Sequence, residues 1–261
     1  MKSLARYKNP PVVEVVSGFV LQPVQGLTLP HFGLFWHRIR DQYPESRHAP
    51  PLVMEESLPS DQESGFFPPP RIWLISKTQD ELIQLQRDRF YFNWREGPNK
   101  SKYASYAEIF QRFQESWKLY TTFLTDVGLE QPVIRECELT YINHIPSSTA
   151  GASMKEAVNV FVSLASLRGE TGFLPSPRSI TWTASYELPE SKGRLNARIH
   201  PALRGNEKEP IFLLELSAKG LGTEATKETI ETWFKVAHEW IVKGFEDLTS
   251  REFQQRVWGK Q

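Results

Sequence analysis

The sequence predicts an α+β fold: a curved antiparallel sheet, continuous across two chain halves, with long helices packed on its single apolar face. Three observations predict it. "SITWTASYEL" and "RLNARIHPAL" alternate apolar and polar residues with a period of two, the mark of strands with one buried face. Two other segments carry aromatic residues at helical spacing over several turns. Each half also runs through one order: strand, helix, antiparallel strands, long helix. Strands with one apolar face need helices on one side only. The halves are expected at residues 1–128 and 129–261, forming one compact unit. No residue-level repeat accompanies the repeated order, so duplication rests on element order alone.

The first strand is "VVEVVSGFVL", which puts Val13, Val15, Phe19 and Leu21 on one face, with Gly18 marking a bulge or a close backbone approach. A helix follows: Thr28 caps it, Pro30 fits its first turn, and Phe32, Phe35, Trp36, Ile39 and Tyr43 recur at helical spacing before Pro44. Residues 45–70 hold six prolines and five acidic residues without periodicity and read as a long surface loop. "RIWLISK" and residues 81–96 read as paired strands. Within "IQLQRDRFYFNWRE" the apolar positions switch from odd (Ile83, Leu85) to even (Phe90, Phe92, Trp94). Arg87-Asp88 lacks turn chemistry, so the switch is read as a bulge rather than a hairpin. Ser105 and Glu108 form a capping box, opening a helix whose Tyr106, Ile109, Phe110, Phe113, Trp117, Tyr120 and Leu124 make one stripe, closing near Gly128.

The second half opens with the strand "VIRECELTYINHI". Ser153 and Glu156 read as a further capping box, before Met154, Ala157, Val158, Phe161 and Ala165. The alternating strands follow, with Ile180, Trp182, Ala184, Tyr186 and Leu188 inward on one and Leu195, Ala197, Ile199, Pro201 and Leu203 on the other. "IFLLELSA" is more apolar and so more central. A long helix carries Ile230, Trp233, Phe234, Ala237, Ile241, Phe245 and Leu248, and Thr249 with Glu252 caps a last short one ending near Trp258.

Lysine plus arginine equals aspartate plus glutamate, 31 against 31. Zero net charge disfavours broad capture of nucleic acid, which needs surplus cations facing phosphate. Cys137 is the only cysteine, so neither an intrachain disulfide nor a cysteine-rich zinc site can form, and its strand context reads as packing. Prolines interrupt the N-terminal region where a signal peptide needs an apolar run, and no stretch spans a bilayer, so a cytoplasmic chain is expected. Walker, Rossmann, zincin and nucleophile-elbow motifs are missing, no pair of the six histidines has helical metal-ligand spacing, and neither cofactor nor metal nor catalytic residue is assigned. "KGLGTEATKE" holds a glycine pair that breaks a strand and caps a helix more simply than it cradles phosphate.

What stands out is the polar side of the strands. It presents Arg89, Tyr91, Asn93 and Arg95 from the first half, and Arg194, Asn196, Arg198 and His200 from the second, beside Thr181, Thr183, Ser185, Glu187, Glu215 and Ser217. Lysine is missing from these named strand positions, replaced by planar hydrogen-bonding groups favoured at interfaces and in anion recognition. The two sets are expected to converge on one concavity.

"NPPVVEVVSGF", "DRFYFNWRE" followed by "YASYAEIFQRF", "ELTYINHI" and "FEDLTSREFQQRVWG" resemble a sporadically distributed prokaryotic family of about this length without an assigned activity. The similarity spans nearly the entire chain, is most specific at Asn93-Trp94-Arg95, and implies no catalytic residue. Patchy distribution of this kind implies mobile or defence-linked genes, including accessory genes beside CRISPR-type effectors; that is an association and no mechanism.

Three functions are open at this level. The first is a non-enzymatic binding or adaptor protein that holds a protein partner on the polar face. The second is a nucleic-acid or small-anion binder on the same face, with salt-sensitive affinity. The third is an enzyme using Glu187, Glu215 or His200 as acid or base, which needs those groups gathered in a pocket.

Overall fold

The structure is a computed structural model and describes residues 4–52, 71–98, 103, 105–146, 154–164, 173, 177, 179–205, 207–221 and 225–261. Local signals become elements where the chain supplies both a cap and an apolar stripe. Ser105 accepts from the Glu108 amide at 3.3 Å while the Glu108 carboxylate accepts from the Ser105 amide at 3.0 Å, and α2 (Tyr106–Asp126) begins there. Thr226 and Thr229 close the matching box at the start of α4 (Lys227–Leu248). Thr28 precedes α1 (Leu29–Ile39), with proline in its first turn and Phe32, Phe35 and Ile39 buried.

The strands are β1 (Val12–Leu21), β2 (Glu45–Ala49), β3 (Arg71–Ile75), β4 (Glu81–Gln86), β5 (Arg89–Arg95), β6 (Ile134–Pro146), β7 (Trp182–Glu187), β8 (Arg194–Arg204) and β9 (Glu209–Gly220). They form one open antiparallel sheet in the order β2-β3-β4-β5-β1-β6-β9-β8-β7. The class is α+β, as the alternating strands predict. In each half the first strand lies beside the last strand before the long helix, β1 beside β5 and β6 beside β9. Central placement of β9 also follows the prediction from its apolar run. Short helices α3 (Met154–Val160) and α5 (Arg251–Arg256) complete the elements. No helix among the described residues is long and apolar enough to cross a membrane.

Two compact units are delimited, Val16–Glu136 and Met1–Val15 with Cys137–Gln261. The boundary falls inside β1 because the two ends of that strand bond differently. The Pro11 carbonyl accepts from His144 at 2.9 Å, whereas the Leu21 amide donates to Asp88 at 2.8 Å. In the Val16–Glu136 unit the core is aromatic: Phe90 lies 5.2 Å from both Tyr120 and Trp117, Phe19 lies 5.1 Å from Phe113, and Phe35 lies 5.5 Å from Tyr120. In the other unit Trp233, Phe234, Ala237 and Ile241 of α4 are buried with Leu195, Ala197, Ile199, Leu214 and Leu216 from the sheet. Cys137 is fully buried there and forms no disulfide, in keeping with the packing role its strand context predicts.

Three expectations are corrected. Residues 45–49 form strand β2 on the sheet edge, not loop, because β3 offers a backbone ladder from Glu45↔Ile75 to Ala49↔Arg71. The rest of the proline-rich segment, 53–70, lies outside the described residues, as do Ser153, Ala165, Gly222 and Thr223. The parity switch is a hairpin, not a bulge: Gln86 pairs with Arg89, so every β4–β5 partner has opposite parity and Leu85 faces the helices together with Phe90. Its Arg87-Asp88 turn is held from outside, since both carbonyls accept amides (Val24 at 3.1 Å, Leu21 at 2.8 Å) and the Gln86 side chain donates to Asp88. Finally, Ser250 rather than Thr249 caps α5; the buried Thr249 hydroxyl instead donates to the Phe245 carbonyl at 2.6 Å.

Candidate functional site: two polar sheet faces

Arg89, Tyr91 and Asn93 share a face of β5, as alternation predicts, but they are 7%, 3% and 2% exposed. Arg95 is half-buried and donates to the Gln79 carbonyl at 3.0 Å. An open recognition row is therefore not what these positions make. The register explains it. Trp73, Gln84 and Tyr91 stand in one cross-strand row. The Gln84 carbonyl accepts from Arg71 at 2.9 Å and from the Trp73 indole at 3.1 Å, and its amide donates to Asn93 at 2.7 Å. Gln86 donates to the Leu52 carbonyl and accepts from the Leu52 amide, both at 2.9 Å. Tyr91 is seated over Gly18, where a Cβ would stand 2.1 Å from the tyrosine ring, so the predicted close approach at Gly18 is real. Polar side chains that find such partners bury at little cost. Arg71, Trp73, Gln84 and Gln86 were not expected at the site; their alternation in "RIWLI" and "ELIQLQ" was the available signal.

The face of the other unit is open. Thr181, Thr183, Ser185, Glu187, Arg194 and Arg198 are exposed, and Asn196, His200 and Glu215 are half-buried. Cross-strand rows order it: Glu187–Arg194–Lys219–Glu138, then Ser185–Asn196–Ser217–Thr140, then Thr183–Arg198–Glu215–Ile142. Ser185 donates to Asn196 at 2.8 Å, and the Thr140 and Ser217 hydroxyls share a 2.6 Å hydrogen bond. Lys219 reaches Glu138 at 3.5 Å. Among the described residues the side chains of Arg194 and Arg198 make neither hydrogen bond nor ion pair, their backbones alone joining the ladder. His144 and His200 both lie opposite Leu213, on its two sides. Burial and the Arg198 charge hold His200 below the ordinary imidazole range, with Glu215 opposing.

No protein-family model matches this chain, and no curated protein matches its sequence. Function is therefore read from the chain's own geometry.

Glu187, Glu215 and His200 do not gather. Glu187 lies opposite Arg194, six residues along β8 from His200, which is roughly 20 Å in an extended strand. Glu215 lies opposite Arg198 and is the nearer neighbour of His200. Among the described residues no three histidine, cysteine, aspartate or glutamate side chains gather to hold a metal ion.

Proposed function

We propose that this chain is a non-enzymatic binding or adaptor protein that holds a protein partner against the polar face of β7, β8 and β9. The carrying observation is that Arg194 and Arg198 project from one face of β8, exposed and unpaired among the described residues, beside the hydroxyls of Thr183 and Ser185. Guanidiniums held about 13 Å apart on a rigid strand are suited to carboxylates and carbonyls of an extended partner segment. Charge balance favours protein over nucleic acid. Each cation of the face has a carboxylate across the strand: Glu187 faces Arg194, Glu215 faces Arg198, and Lys219 faces Glu138. Such a mosaic complements a protein surface, whereas a polyphosphate needs surplus positive charge.

The test is recovery of partners by the tagged full chain from its source cells, compared with Arg194→Glu plus Arg198→Glu. Both residues are exposed, so the fold is retained. A specific partner should fall at least tenfold in the double variant, and raising salt should weaken binding only mildly. Equal recovery by both proteins would remove the face from consideration. Binding to single-stranded DNA that collapses between 50 and 200 mM salt would transfer the role to a nucleic acid.

A further inference from the structure

Arg71 and Arg89 stand in one cross-strand row of the Val16–Glu136 unit, on either side of Gln86. The Gln86↔Arg89 pair and the β3–β4 register, which extends from Ile72↔Leu85, place them there. Their Cα atoms are thus about 10 Å apart across two strand spacings, a gap that two arginine side chains close. Each guanidinium carries five N–H donors, and few are used. Among the described residues Arg89 donates once, to the Tyr91 hydroxyl at 3.4 Å, and stands 3.9 Å from the Asp88 carboxylate. Arg71 donates to Gln84 at 2.9 Å and lies 5.5 Å from the Trp73 ring centroid. The Nε of both arginines is buried without a hydrogen bond. Neighbouring acceptors are already taken, since Gln84 serves Arg71 and Trp73, and Gln86 serves Leu52. Among the described residues Asp88 is the carboxylate paired with this row, through Arg89 alone, and Arg89 is 7% exposed. A buried cation without adequate partners is strongly unfavourable. Burial and the Arg89 charge both hold Arg71 below its usual range, with Tyr91 opposing.

We propose that Arg71 and Arg89 form a receptor for a small oxyanion, the phosphate or carboxylate group of a low-molecular-weight ligand. An oxyanion seated between them supplies the acceptors that both Nε groups lack and neutralises the pair, in the geometry arginine favours for such groups. The site lies within one unit and is independent of the protein-binding face on β8.

The experiment is thermal unfolding and calorimetry of the full chain in inorganic phosphate, in succinate and in chloride at equal ionic strength. One oxyanion should raise the midpoint saturably by several degrees, and the responding anion identifies the ligand as phosphate or carboxylate. Arg89→Met and Arg71→Met should each weaken that response at least tenfold. Arg89→Met should also keep or raise the midpoint in chloride, because a buried charge held only by a long contact to Asp88 has gone. Should Arg89→Met fail to fold, the half-buried Arg71→Met carries the same reading. A wild-type chain without a saturable response to either oxyanion overturns the proposal, and so does a response that both variants retain.

Discussion

His238 on α4 faces the ring of Tyr141 from β6, with 6.1 Å between centroids. Burial pushes its imidazole down to about 4, with neighbouring Glu239 opposing. The folded chain thus holds this histidine neutral at pH values where the unfolded chain protonates it. Between about pH 6.5 and 4 the unfolded state binds more protons, so stability falls with acid across that window and is unaffected above it. The loss at the acid end is of order 3 kcal/mol. His238→Asn should flatten this part of the curve, read as urea midpoints at pH 7 and 4.5; an equally steep decline in the variant would assign the acid sensitivity elsewhere. The fate of Arg89, Tyr91 and Asn93 was not legible in the sequence. Alternation separates the two faces of a strand but does not say that the polar one is exposed. Burial of that face depended on Gln84 and Gln86 supplying hydrogen bonds, and on Gly18 leaving room for a ring.

Elements were legible where the chain carries its own instructions and obscure where a neighbour imposes them. Helix α2 announces itself through a capping box and an aromatic stripe and α4 through its stripe, whereas the Thr226–Thr229 box of α4 was found only in the structure. Strand β2 has little apolar patterning, with Ala49 its buried residue, and exists because β3 lies alongside. The Arg87-Asp88 turn likewise takes its stability from the Val24 and Leu21 amides rather than from glycine or asparagine. Where β8 begins and β9 ends, a strict backbone requirement appears. Gly193 (φ +120°) and Gly220 (φ +149°) lie back to back, and a Cβ on Gly220 would stand 2.2 Å from the Lys192 carbonyl oxygen. That same oxygen accepts from the Trp233 indole at 2.8 Å, tying the junction to α4. Gly220→Ala must therefore move backbone that is fixed from both sides. It should cost about 2 kcal/mol or more, seen as a lower denaturant midpoint. A midpoint equal to that of the parent chain would show the junction to be yielding. The glycine pair in "KGLG" signalled a strand end; its need for Gly193 opposite depended on register that sequence alone does not set.

For the whole molecule, the informative feature is that one compact unit is discontinuous in the chain. It takes residues 1–15 from one end and 137–261 from the other. The N-terminal segment is integrated by specific bonds: Lys8 and Asn9 amides donate to the Gly259 and Trp258 carbonyls at 3.2 and 3.1 Å, and His144 donates to the Pro11 carbonyl. Tyr7 packs its ring 5.5 Å from Phe245 and 6.4 Å from Trp258, while Val12 and Val15 are buried at 8% and 0% exposure. Removing the segment would uncover these apolar groups and leave those carbonyls without their donors, a loss that a unit of marginal stability does not withstand. Residues 129–261 expressed on their own should thus unfold over a broad, weakly cooperative range in urea. Joining residues 1–21 to that fragment through a glycine-serine linker should restore a single steep transition, because the strand segment is returned and only loop closure, which grows slowly with length, is added. A 129–261 fragment that unfolds as steeply as the joined version would show that the N-terminal strand is ornament to this unit, and that the division at residues 128 and 129 predicted from element order describes it better than the bonds do.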